Sequence, residues 1–262
     1  MEIIFCGTGG ARFVIMKQLR ATGGFIIRGK ANMYVDPGPG ALIRSIELKQ
    51  DLQKLDAIFI SHAHIDHSND ANLIIEAMTD GGKKKRGILI GSSSALEGND
   101  RFDRVASAYH QNLVEKKFIA RPGDKFSVKG VDIEATPTRH EDNSAVGFKL
   151  SYAGKTIGYT SDTEYIPELG KVFAGCDCLI LNNLRPAGSP YPGHLDSEMS
   201  IRVLKEAKPK KAIIQHFGMG MLRAGPEAEA RFIQKESGVE TIAAKDGMVV
   251  KIEEGKSLVD FE

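Results

Sequence analysis

Ile58-Phe59-Ile60-Ser61-His62-Ala63-His64-Ile65-Asp66-His67-Ser68-Asn69-Asp70 passes from an apolar, strand-like run directly into a dense polar one. The strand pattern ends at Ser61. Three histidines and an aspartate then fall within six positions, and a helical pattern starts at about 66–69. His62 and His64 stand two apart in extended chain, so their rings project to one side. Asp66 and His67 follow where the chain turns into the helix, facing a second point nearby. Imidazole and carboxylate are ligands for Zn, Fe or Mn. The competing reading is an ordinary polar loop. With only 7 His in 262 residues, three inside one such segment at a strand's carboxyl end make a metal-binding loop the better account.

Short apolar, β-branched runs recur on both sides, at 2–6, 31–36, 57–61, 87–91, 131–136, 146–152, 155–160, 178–182, 212–215 and 248–253. Tyr152-Ala153-Gly154-Lys155 reads as a hairpin turn joining two of them. Helical spacing appears between the runs. Leu42, Ile43, Ile46 and Leu52 carry it over 41–52; Ala71, Ile74, Ile75 and Met78 carry it over 69–78. Further helices are expected at 197–207 and 226–237, the last with Pro226 in its first turn. Strands and helices interleave, so the class is α/β or layered α+β. No low-complexity linker or repeat divides the chain, and one domain over 1–262 is expected.

One loop cannot complete two metal sites, and three further candidates stand at strand-to-loop transitions: His140 in Thr136-Pro137-Thr138-Arg139-His140, Asp162 in Tyr159-Thr160-Ser161-Asp162, and His216 in Ile214-Gln215-His216-Phe217. Taken singly, each reads as structural; together they read as the remaining ligands.

His62-Ala63-His64-Ile65-Asp66-His67 resembles the signature of the metallo-β-lactamase superfamily. His140, Asp162 and His216 follow in that superfamily's order. Phe5-Cys6-Gly7-Thr8-Gly9-Gly10 and Val35-Asp36-Pro37-Gly38-Pro39-Gly40 fit it too, so the resemblance spans most of the chain. It implies a four-layer αβ/βα sandwich with metals at one edge. It further implies that His62, His64 and His140 hold one divalent metal, that Asp66, His67 and His216 hold a second, and that Asp162 bridges them. Zinc is the first expectation, with manganese or iron as alternatives.

His140-Glu141-Asp142-Asn143-Ser144-Ala145-Val146-Gly147-Phe148 is similar to the branch that holds ribonuclease Z and the phosphoribosyl cyclic phosphodiesterases. His194, in Gly193-His194-Leu195-Asp196-Ser197, occupies the place where that branch has a histidine contacting the scissile phosphate or leaving group. The plainer reading of His194 is a residue flanking a helix capped by Asp196 or Ser197. Two departures count against transfer RNA as substrate. Ribonuclease Z pairs that histidine with a glutamate, whereas Leu181-Asn182-Asn183-Leu184-Arg185-Pro186 has no acid. No insertion is long enough for a tRNA-gripping arm. Lys83-Lys84-Lys85-Arg86 reads as a solvated turn, Cys176-Asp177-Cys178 as small buried hydrophobes rather than a soft-metal pair, and His110 as a surface or capping residue. Arg185 is either an anion-binding fork or half of a surface ion pair.

Composition bounds the partners. The 35 Lys+Arg balance 34 Asp+Glu for a net charge of +1, which argues against long nucleic acid and turns the phosphodiesterase expectation toward a small molecule, anionic as a phosphodiester is. Three scattered cysteines exclude a disulfide scaffold. No stretch approaches a membrane span or a signal peptide, so a cytoplasmic protein is expected, and the sequence carries no mark of an oligomeric state. The resemblance implies a binuclear hydrolase, first a phosphodiesterase for a small or cyclic nucleotide-like substrate. A hydroxide held between the metals would attack, Asp66 would ligate a metal and orient or deprotonate that nucleophile, and His194 would serve the leaving oxygen. A hydrolase of carbonyl esters, thioesters or lactones is the second reading, and redox or noncatalytic use of the fold the third.

Overall fold

The computed structural model describes residues 1–252 and the backbone of 259–260. Two sheets dominate it. The first runs, strand beside strand, Val259–Asp260, Val249–Lys251, Glu2–Phe5, Phe25–Arg28, Met33–Val35, Ala57–Ile60, Ile88–Gly91 and Lys116–Ile119. The second runs Thr241–Ala243, Lys211–Gln215, Cys178–Arg185, Lys155–Tyr159, Gly147–Tyr152, Val131–Thr136 and Lys125–Val128, with the short Leu195–Asp196 beside Cys178–Arg185. Glu2–Phe5 is flanked by Phe25–Arg28 on one side and by Val249–Lys251 on the other, with Glu2 opposite Lys251.

Period-two alternation sends each strand's side chains into two different cores. Phe5, Phe25, Val35 and Phe59 of the first sheet meet Ile133, Phe148, Leu150, Tyr159 and Ile180 of the second in a central apolar layer. Residues pointing the other way meet helices. Tyr34, Ile58, Ile60 and Leu89 pack on Ala71, Ile74, Ile75 and Met78 of Ala71–Met78. Leu179, Leu181 and Ile214 pack on Leu204 of Ser197–Ala207 and Ile233 of Pro226–Ser237. Helix, sheet, sheet, helix is the expected αβ/βα sandwich. Ala57–Ile60 is buried on both faces, which is why its sequence is a solid apolar run.

The hairpin forms as expected: Tyr152 pairs with Lys155, and φ is positive at both Ala153 (50°) and Gly154 (76°), the turn that suits two twisted strands. Alanine is strained there. Ala153→Gly is therefore expected to stabilise the fold by about 1 kcal/mol, raising Tm in a thermal melt by roughly 2–4 °C; an unchanged or lowered Tm would show the turn to be relaxed.

Several expectations are corrected. The helix expected over 41–52 ends early, as Ala41–Glu47, and turns Ala41 and Ser45 inward. Ile43 and Ile46 are 62% and 65% exposed, while Leu52 is buried from a separate 3-10 turn, Leu52–Lys54. Lys49, with φ 55°, breaks the helix between them. Six strands lie outside the expected runs: Phe25–Arg28, Lys116–Ile119, Lys125–Val128, Leu195–Asp196, Thr241–Ala243 and Val259–Asp260. Glu253, the last residue of the run expected at 248–253, lies outside the described residues. The cysteines are free and buried, with burial pushing the thiols of Cys176 and Cys178 up to about 11 and about 12. Ser107, not His110, caps this helix, its Oγ accepting from the His110 N–H, while the His110 ring contacts Ser107 Oγ and pairs with Glu76. Among the described residues no helix is long and apolar enough to cross a membrane.

Candidate metal centre

Strands deliver the site residues to one edge of the sandwich. Ala57–Ile60 runs parallel to both of its neighbours and releases His62 and His64 at its carboxyl end, where the short helix Ile65–Ser68 supplies Asp66 and His67. From the second sheet, Val131–Thr136 leads to His140, Lys155–Tyr159 to Asp162 and Lys211–Gln215 to His216. His194 precedes Leu195–Asp196.

All eight residues singled out from the sequence come together. His64 Nδ1 lies 3.0 Å from both His62 Nε2 and His140 Nε2. His216 Nε2 lies 3.1 Å from His67 Nε2 and 3.2 Å from Asp66 Oδ2. The four clusters whose donor atoms all fall within 4.8 Å of one another are His62/His64/His140, Asp66/His67/His216, His62/His67/Asp162 and His140/Asp162/His194. Asp162 thus stands between the two triads. Its Oδ2 is 3.3 Å from His67 Nε2, 3.5 Å from His216 Nε2 and 3.9 Å from His62 Nε2. His194 Nε2 approaches the same oxygen at 3.3 Å.

The far sides of the rings fix their tautomers. His62 Nδ1–H donates to Ser61 Oγ at 2.9 Å, and that hydroxyl donates to Asp36 Oδ2 at 2.7 Å. His67 Nδ1–H donates to Asp36 Oδ2 at 2.9 Å, and His140 Nδ1–H to the Gly193 carbonyl at 2.8 Å. Each leaves an Nε2 lone pair facing inward. Asp162 Oδ1 accepts from Asn182 Nδ2 at 2.7 Å, which leaves Oδ2 as its free face. The donor set fits divalent metals: converging lone pairs at about 3 Å are repulsive without a cation between them, and each cluster mixes imidazole with imidazole or carboxylate.

Electrostatics agree with that fit in the first triad. Burial pushes His62 well below its ordinary value, holds His64 below it and takes His140 down to about 4; all three stay neutral, as ligands must be. Burial alone would raise Asp66 and Asp162, but His67 and His216 hold both far down, so both are carboxylates. His67 and His194 run the other way. Burial lowers each, and Asp162 raises each above its ordinary value.

Backbone strain sits beside the ligands: His216 and Ser161 take left-handed φ of 62° and 56°. The glycine-rich opening backs His216. A Cβ on Gly10 would lie 2.4 Å from its ring, and Ala11 N–H donates to Asp66 Oδ2 at 2.9 Å. Asp246 fixes that loop through Thr8 N, Thr8 Oγ1 and Ala21 N at 2.7–2.9 Å.

A family model described as a β-lactamase superfamily domain matches residues 31–217, the span that carries every one of these ligands. The chain belongs to the β-lactamase superfamily. An uncharacterized protein of Methanocaldococcus jannaschii, MJ1374, is 42% identical over 98% of this chain and 97% of its own length. A metal-dependent hydrolase of Thermoplasma acidophilum, Ta0764, is 24% identical over 78% of this chain and 84% of its own. The metallo-β-lactamase fold protein YhfI from Bacillus subtilis superposes with a TM-score of 0.76 at 20% identity, over 95% of this chain and 98% of that one. This superfamily member is a metal-dependent hydrolase.

Sequence reasoning left Asp36, Ser61, Tyr159 and Asn182 without roles. Asp36 is the hub: its Oδ2 accepts from Ser61 Oγ, His67 Nδ1 and Tyr159 OH, the last at 2.6 Å, and its Oδ1 from Ser61 N at 2.7 Å. A carboxylate closing an apolar run just before Pro37-Gly38 was the available signal.

Proposed function

We propose that this hydrolase is a binuclear phosphodiesterase for small, anionic, nucleotide-like substrates. The observation that carries the reading is His194, which reaches Asp162 Oδ2 at 3.3 Å from a loop outside both triads. His62, His64 and His140 would hold one divalent metal, Asp66, His67 and His216 the other, with Asp162 Oδ2 facing both. Bound there, the pair of metals supplies Lewis-acid charge and a water acidified toward neutral pH.

The chain's own residues do the rest. Asp66 keeps one carboxylate oxygen anchored by Ala11 N–H and is placed to orient the attacking water. His194 is fixed by Nδ1–H donation to the Pro192 carbonyl at 3.0 Å, so its Nε2 is aimed at the reaction face, where it serves the leaving oxygen as proton donor. Two divalent cations against Asp66 and Asp162 leave a surplus of positive charge, which suits a phosphodiester anion better than a neutral carbonyl ester.

A small substrate fits the placement of the basic run. Lys83-Lys84-Lys85-Arg86 precedes Ile88–Gly91 at the end of the sheet opposite His62. Arg86 is engaged by the carbonyls of Gln53 and Leu55, and Lys84 by Asp80.

His194→Ala is expected to lower turnover of a bis-aryl phosphodiester by about 10²–10⁴-fold with metal content unchanged by elemental analysis. Loss of metal in that variant would make His194 a ligand instead. Turnover of thioester or lactone substrates with none of any phosphodiester, across Zn, Mn and Fe, would overturn the substrate class.

A further inference from the structure

We propose that Arg185, seated on Tyr191 beside His194, binds a second phosphate of the substrate on its leaving-group side. The proposal rests on the phosphodiesterase reading and names the substrate more closely: a phosphodiester whose leaving portion carries a further phosphate.

Arg185 closes the strand Cys178–Arg185, three residues beyond the Asn182 that holds Asp162. Its guanidinium carbon lies 5.1 Å from the centre of the Tyr191 ring. Tyr191 in turn belongs to the turn that presents His194. The His194 N–H donates to the Tyr191 carbonyl at 3.1 Å, and the two rings are 5.5 Å apart. From the guanidinium, the path to the reaction face is therefore one ring, then one imidazole. On the other flank Gly220 has no side chain to contest the space; a Cβ there would lie 3.2 Å from Arg185 Nη1.

Arg185 is half-buried, yet among the described residues no acid pairs with its guanidinium. Glu229, the acid that reaches this segment, is committed to the Ala187 N–H at 3.0 Å. Arg101, Arg139, Arg44 and Arg86 all have a carboxylate partner. A guanidinium braced by an aromatic ring keeps its in-plane N–H fork available, and that fork matches the oxygen spacing of a phosphate. A half-desolvated cation without a counterion is complemented by an anion that arrives with the ligand. His194 then lies between the metals and this anchor, where the departing oxygen of such a substrate would pass.

The test uses the zinc-loaded full chain and isothermal titration calorimetry with adenosine 5′-monophosphate and adenosine 3′,5′-bisphosphate. The native protein is expected to favour the bisphosphate by about tenfold or more. Arg185→Ala should bring the ratio close to one, Arg185→Lys should leave it in between, and Tyr191→Ala should reduce it by releasing the guanidinium. Thermal melts of each variant separate this loss from unfolding. A native protein without preference, or Arg185→Ala that keeps it, overturns the anchor. The two readings fail separately. An Arg185-dependent preference in a protein that turns over no phosphodiester leaves the anchor standing and removes the reaction. Phosphodiester turnover with an Arg185-independent preference does the reverse.

Discussion

Replacing His64 by alanine is expected to abolish hydrolysis and to lower bound zinc from about two equivalents per chain toward about one. His64 is the point on which its triad turns, since its Nδ1 lies 3.0 Å from each of the other two ring nitrogens. Without it, only His62 and His140 remain of the three imidazoles, beside an Asp162 that is shared with the second cluster, so this site loses affinity first. Losing one cation of a binuclear site removes several kcal/mol of charge stabilisation, so a fall in kcat of at least about 10³-fold follows. The Asp66, His67 and His216 cluster is untouched and should still bind. Elemental analysis after dialysis, paired with a phosphodiester assay, checks both halves. Native protein carrying one metal, with activity kept in the variant, would sink the binuclear reading.

Asp36→Ala is expected to damage the site without removing any ligand. The carboxylate orients His67 directly and His62 through Ser61, so it supports one member of each triad. Outer partners of this kind are typically worth 10–100-fold in metal affinity, and both binding steps should weaken by about that much in a chelator competition. The variant also removes the acceptor of four buried donors, the Ser61 N–H and O–H, His67 Nδ1–H and Tyr159 O–H. Stability should fall by about 3–5 kcal/mol, or about 10 °C in Tm at this chain length. Ser61→Ala is the informative companion, because it cuts only the route to His62. Unchanged zinc affinity in Asp36→Ala would show that the metals do not feel this carboxylate.

These two residues mark what the sequence discloses. His64 was legible because its triad partner His62 is two positions away and the spacing of an extended chain places both rings. Asp36 was not, because what gives it meaning is distant: Tyr159 lies 123 positions along the chain and His67 lies 31. Asn182 is a similar case. In the sequence it marks only the absence of an acid; in the structure it decides which oxygen of Asp162 is free. The strands read best where burial on both faces makes an apolar run. Lys116–Ile119 and Lys125–Val128 escaped because they are edge strands whose lysines face solvent, as edges commonly do. The exposed Ile43 and Ile46 misled for the opposite reason, since helical spacing shows that a stripe exists but not what covers it.

The pairing of Glu2 with Lys251 has a consequence in time. At about 5–20 residues per second a ribosome reaches residue 251 on the order of 10–50 s after residue 2, so Glu-Ile-Ile-Phe waits that long for its partner on this side. An open apolar edge is a template for any neighbouring chain. Crowded polysomes or slowed translation would extend that interval. Until Val249–Lys251 has been made, those four residues stay clear of false pairing only if something shields them.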